Sequence, residues 1–149
     1  MKTTHTDRSI KFVEWLSTDD MHGNSKEWLS ELKFVKDEQL FLEDLITTFT
    51  LQLIDKQHFS ENKKAIEALQ ISIQEIETLI KKVILHQNNI EIMVDEIDQL
   101  KEEEKYKEEH KNVTRIVHQF LKEHKKLKTQ LFDIIKEIKK TEKQKRLIT

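Results

Sequence analysis

Not one proline interrupts the 149 residues, and glycine occurs once, at Gly23. Sheet-rich folds place Gly and Pro at their turns, so a chain this poor in both has few ways to reverse direction except between helices. Helix is therefore expected almost throughout. The side chains agree: charged and apolar residues each make up 36% of the chain, the mixture that gives amphipathic helices with a solvated outer face. A chain of this length suits one domain. Residues 1–149 are read as a single helical-bundle domain with disordered tails at 1–8 and 143–149.

Hydrophobic periodicity divides the chain. Residues 9–17 fit a short N-terminal helix, with Phe12, Val13 and Leu16 on one face and Trp15 beside them. "TDDMHGNS", with the one glycine, reads as a loop, and Ser25 as the N-cap of a first long helix over about 25–54. Its stripe is Trp28, Leu32, Val35, Gln39, Leu42, Ile46, Phe49 and Leu53, a heptad seam of alternating four- and three-residue steps. Ser60 is the next candidate N-cap. The second stripe runs Ile66, Leu69, Ile73, Ile76, Ile80, Val83, Gln87, Ile90, Val94 and Ile97. The third runs Tyr106, His110, Val113, Val117, Phe120, His124, Leu127, Leu131, Ile134 and Ile138.

The second and third stripes do not join. Continued past Ile97, the second would make core positions of Lys101, Glu104 and Glu108. A phase jump through charged residues is what a helical hairpin leaves behind, so a turn is expected near 102–106, between helices at about 60–102 and 106–142. The predicted fold is all-α: an antiparallel bundle of two long helices in a hairpin, a shorter third helix and a small N-terminal helix. That small helix would cover the end of the hairpin that the shorter one leaves bare, around Ile90, Val94, Ile97, Val113 and Val117, since apolar area left wet costs about 25 cal/mol per Å².

With turns near 104 and 57, His124 falls level with His86 and Gln87, and that layer meets Trp28. A candidate polar layer of Trp28, His86, Gln87 and His124 follows. It reads first as a hydrogen-bonded layer fixing the register. It reads second as a pH-sensitive layer, because two touching histidines cannot both charge cheaply. The third reading is a metal or haem site. Ligand pairs at i, i+3 or i, i+4 are sought among the seven histidines and found only weakly, at Asp55 and His58. No cofactor or metal is therefore expected. On the first long helix Leu29, Phe34, Leu40, Phe41 and Leu45 widen the apolar arc. Leu29, Phe34, Phe41 and Leu45 form a candidate interaction face for a partner protein or a homodimer, unless the width only serves contact with both long helices.

Several functions are disfavoured. With no cysteine there is no disulfide, thiolate site or cysteine nucleophile. Gly-rich phosphate loops, G-x-S-x-G and H-E-x-x-H are absent, and Glu102, Glu103 and Glu104 are a solvated run rather than a catalytic pair. A net charge of −2 gives no general attraction to nucleic acid or membrane. The charge is uneven: residues 19–55 carry net −6 and residues 120–149 net +6, so the first and last helices are expected side by side. No signal-peptide or membrane-spanning run is seen, and a cytoplasmic location is expected. The sequence thus predicts a non-enzymatic protein-interaction or structural module, with a His-based ligand or sensor bundle as the alternative.

Overall fold

In the computed structural model, which describes residues 16–55, 57–95 and 100–148, the first described helix starts at Thr18 and is capped by Ser17. The Ser17 hydroxyl accepts the Asp20 N–H at 3.1 Å, and the Asp20 carboxylate accepts the Ser17 N–H at 3.2 Å. This reciprocal cap satisfies two backbone donors that a helix start leaves orphaned. The expected loop at 18–25 is therefore helix, and Ser25 is not a cap. It is fully buried, with its hydroxyl donating to the Met21 carbonyl one turn back. Four helices, and no strand, form among the described residues: α1 Thr18–Thr48, α2 Thr50–Leu53, α3 Phe59–Asp95 and α4 Leu100–Ile148. The expected small helix at 9–17 lies outside the described residues except for Leu16 and Ser17, which are not helical.

Gly23 sits inside α1, where it costs about 1 kcal/mol relative to alanine. A Cβ built there meets nothing within 4 Å. Gly23→Ala is accordingly expected to raise stability by about 0.5–1 kcal/mol. A urea midpoint that stays put or falls would contradict a helical Gly23.

The first long helix ends a turn early. Phe49 leaves helical geometry at φ −105° and ψ 22°, and α2 adds one more turn. The Asn62 side chain then donates to the Leu53 carbonyl at 3.0 Å, satisfying an acceptor at the end of α2. The second correction concerns the hairpin. Residues 102–106 are inside α4, so no turn lies near 104; α3 runs to Asp95 and α4 already begins at Leu100. "KEEEKYKEEH" is built of strong helix formers, and nothing in it stops a helix. The third concerns the C-terminal tail: residues 143–148 are helical, not disordered. Lys145 and Arg146 lie in the last turn, where cations suit the helix dipole.

The chain groups into two compact units: Met1–Phe34 with Ile76–Lys122, and Val35–Glu75 with Glu123–Thr149. In the first, Met21, Ile90 and Tyr106 form a buried cluster on which Leu16 packs. Phe12 and Trp15, expected at the same end, lie outside the described residues, as does Ile97 of the seam, whereas Val94 lies within α3. In the second, Leu42, Ala65, Leu69, Leu127 and Leu131 form one cluster and Phe49, Leu53 and Ile135 another. There α1 and α3 are antiparallel, Gln39 donating to Ser72 at 3.0 Å. In the same unit α1 and α4 run parallel, with Glu38 against His124 and Phe41 against Phe132. The acidic and basic helices are thus neighbours in this unit.

The first and third stripes bury nearly as expected. The second is displaced by one residue at alternate positions: Ala65, Ser72, Leu79 and His86 are buried, while Ile66, Ile73, Ile80 and Gln87 are half-buried. A helix with two neighbours buries an arc wider than one seam, and small or polar residues fit its crowded centre.

Candidate functional site

The most concentrated group of functional side chains lies in the first unit. One turn of α1 supplies Asn24 and Trp28, α3 supplies His86, and one turn of α4 supplies Tyr106, Glu109 and His110. The i, i+4 spacing puts Asn24 and Trp28 on one face of α1, and Tyr106 and His110 on one face of α4. His86 and His110 are completely buried and Tyr106 nearly so. His86 Nε2 is 2.8 Å from His110 Nδ1 and 2.8 Å from the Tyr106 oxygen. Its Nδ1 lies 2.9 Å from Glu109 Oε1. Tyr106 also donates to the His86 carbonyl at 3.1 Å, and the Asn24 amide lies 3.5 Å from His110 Nε2.

One assignment of protons satisfies every contact of the group except that between the Tyr106 oxygen and His86 Nε2. His86 carries its proton on Nδ1 and gives it to the Glu109 carboxylate. Its Nε2 lone pair then accepts from His110 Nδ1–H, and His110 Nε2 accepts from Asn24. Both imidazoles are neutral. Burial pushes His86 below its ordinary pKa against the opposing pull of Glu109. Burial, with His86 beside it, takes His110 down to about 3. Burial, reinforced by Glu109, pushes the Tyr106 hydroxyl above the usual phenol range. The rings stack as well: Tyr106 lies on His86 with centroids 4.5 Å apart and planes 7° apart, and Trp28 lies on His110 at 4.8 Å.

Of the expected polar layer, Trp28 and His86 are brought together, their ring centroids 6.4 Å apart. Gln87 is half-buried. His124 has other company: it belongs to the second unit, where its Nε2 lies 3.3 Å from Glu38 Oε1. The place given to it beside His86 is taken by His110, because α3 ends and α4 begins several residues earlier than expected and the α3–α4 pairing shifts by several turns. Glu38 also accepts from Lys128 at 2.8 Å. Burial alone would raise its pKa, but Lys128 and His124 outweigh that and lower it. Burial lowers the pKa of His124, partly opposed by Glu38.

Sequence reasoning missed the pairing of His86 with Tyr106, Glu109 and His110, although it placed Tyr106 and His110 on the buried stripe. Asn24 was hidden in an expected loop. The available signal was the contrast between Asp95, Glu96 and Asp98, with poorer helix formers among them, and the unbroken helical run that follows.

The candidate interaction face divides. Leu29 is half-buried, Phe34 is 65% exposed and Phe41 is 53% exposed. Leu45 packs against both cores of the second unit, so it belongs more to the interior than to a docking surface. Phe41 on α1 meets Phe132 on α4, itself 42% exposed, with ring centroids 6.3 Å apart. The two rings flank a groove of about 230 Å³ that Asp37, Glu38, Leu42 and Lys128 complete.

Comparison with protein families, curated proteins and solved structures finds no match for this chain. No helix among the described residues is long and apolar enough to cross a membrane.

Proposed function

We propose that the chain is a non-enzymatic protein-binding module, and that the Phe41–Phe132 groove of the second unit receives the partner. The observation that carries this reading is two half-exposed aromatic rings side by side over a groove edged by Asp37 and Glu38. Paired exposed aromatics are costly to leave in water and are the residue type on which binding energy concentrates. Glu38 is already met by Lys128, so Asp37 is the rim charge left to suit a partner segment that offers an apolar side chain beside a Lys or Arg. A second copy of the chain is the other occupant considered.

The test compares wild type with Phe41→Glu and Phe132→Ala as baits in extracts of the native cell, followed by purified binding. Because both rings are half in solvent, melting temperatures are expected to move little, whereas affinity for a groove-bound partner should fall about 30-fold or more. Equal recovery of the same partners by all three baits would refute the groove. Sedimentation of the wild type at rising concentration separates self-association from a different partner.

A further inference from the structure

The buried group around His86 has a feature that a hydrogen-bonded core layer does not require. Three donor atoms from two helices, His86 Nε2, His110 Nδ1 and the Tyr106 oxygen, converge on one small volume, the two latter each 2.8 Å from the first. Nε2 has one lone pair and faces two groups that ordinarily carry protons. Behind the point of convergence each imidazole has a second polar partner. His86 Nδ1 has Glu109 at 2.9 Å, and His110 Nε2 has the Asn24 amide at 3.5 Å. Imidazoles that bind metals donate their far N–H to an oxygen acceptor, which fixes the tautomer; His86 meets this through Glu109 as it stands, and His110 meets it once the Asn24 amide turns its oxygen to Nε2.

We propose that His86 Nε2, His110 Nδ1 and the Tyr106 oxygen form a three-ligand site for a zinc-type divalent transition-metal ion, with Glu109 and Asn24 orienting the two imidazoles. Among the described residues no three imidazole, carboxylate or thiolate groups gather as a metal site; here the third ligand is a phenol oxygen. Tetrahedral Zn²⁺ with bonds of about 2.0–2.1 Å separates its ligands by about 3.3 Å. Each 2.8 Å approach then opens by about 0.5 Å, which small side-chain rotations supply. Three protein ligands leave a fourth position for water or another small ligand.

The protons and charges balance. On binding, Tyr106 loses its hydroxyl proton to solvent and binds as phenolate. The His110 proton moves from Nδ1 to Nε2, where a turned Asn24 amide accepts it through oxygen. His86 keeps its Nδ1 proton on Glu109. A dication is thus met by one phenolate and one carboxylate, which offsets the cost of a charge in this buried place. Burial resists ionisation of Tyr106 without a metal, but a bound dication reverses that preference. Glu109 is the link to solvent, its side chain 39% exposed.

The experiment titrates chelator-treated full-length protein with Co²⁺, which reports tetrahedral coordination by its intense visible absorption, and then displaces it with Zn²⁺. One ion per chain is expected, with about one proton released per ion near pH 7.5. Tyr106→Phe keeps the ring but removes the oxygen, and should weaken Co²⁺ binding at least tenfold and abolish the proton release. Glu109→Gln should weaken it about 10- to 100-fold. Melting curves of both variants without metal establish that they fold. Absence of a tetrahedral spectrum in wild type overturns the proposal. So does binding by folded Tyr106→Phe with unchanged affinity and spectrum, which would show that the ion is not held by Tyr106.

Discussion

Replacing Trp28 with alanine is expected to cost about 3–5 kcal/mol, the range for removing a large buried aromatic. Trp28 is 6% exposed, and its ring lies 4.8 Å from that of His110 and 6.4 Å from that of His86. Removing it does more than open a cavity. It takes away the apolar cover of two fully buried imidazoles, whose hydrogen-bond chain depends on water being kept out. The loss should therefore lie toward the upper end. Trp28→Phe, which keeps a stacking ring, should recover more than half of it. Urea unfolding followed by circular dichroism measures both. A loss below about 1 kcal/mol for the alanine variant would mean that the ring is not the lid of the histidine group.

Much of this arrangement could be read from residue spacing, and its failures have definite causes. The stripe from Tyr106 to Leu131 and the stripe from Trp28 to Leu53 were readable because each helix has a heptad pattern that survives any error in its ends. The α3 stripe slipped by one residue because Ile66 and Ile73 signal a core more strongly than Ala65 and Ser72 do, and the same seven-residue spacing carries on to Ile80 and Gln87 in place of Leu79 and His86. Yet a helix flanked on two sides buries the smaller and polar set more deeply. Caps were harder. Ser25 precedes an amphipathic run, as an N-cap should, but Ser17 with Asp20 makes two reciprocal bonds where Ser25 would make one. Gly23 marked a loop only because glycine usually does. The composition of the buried histidine group depended on pairing α3 with α4, and that pairing is set by where the chain turns. An error of a few residues in the turn doubles in the register, so it moved the partner of His86 from His110 to His124.

That misplacement leaves His124 with a different meaning, and with a test of its own. Its Nε2 faces Glu38, but its Nδ1 is buried with no hydrogen-bond partner. A buried unpaired nitrogen costs about 1–3 kcal/mol. Replacing His124 with leucine removes that nitrogen, suits the seam between Phe120 and Leu127, and leaves Glu38 its bond to Lys128 at 2.8 Å. At pH 7.5 the variant is expected to be about 1 kcal/mol more stable than wild type. The pH dependence follows from the direction of the shifts. Burial holds the His124 pKa below the usual 6.5 in the folded protein, so on acidification the unfolded chain binds this proton first. Stability is lost as pH falls below about 6.5 and goes on falling until the folded pKa is reached. Glu38 adds a second loss further down. Lys128 and His124 hold its pKa below 4.5, so its contribution is present above that value and fades as pH falls through the lowered one. The other buried histidines titrate alike in both proteins, and Glu38 titrates only below pH 5, so between pH 7.5 and pH 5 the difference between wild type and variant isolates His124. Urea melts at pH 7.5 and pH 5 should show the advantage of His124→Leu growing at the lower pH. An advantage that shrinks on acidification, or a variant weaker than wild type at pH 7.5, would show that His124 stabilises the fold through Glu38 as an ion pair.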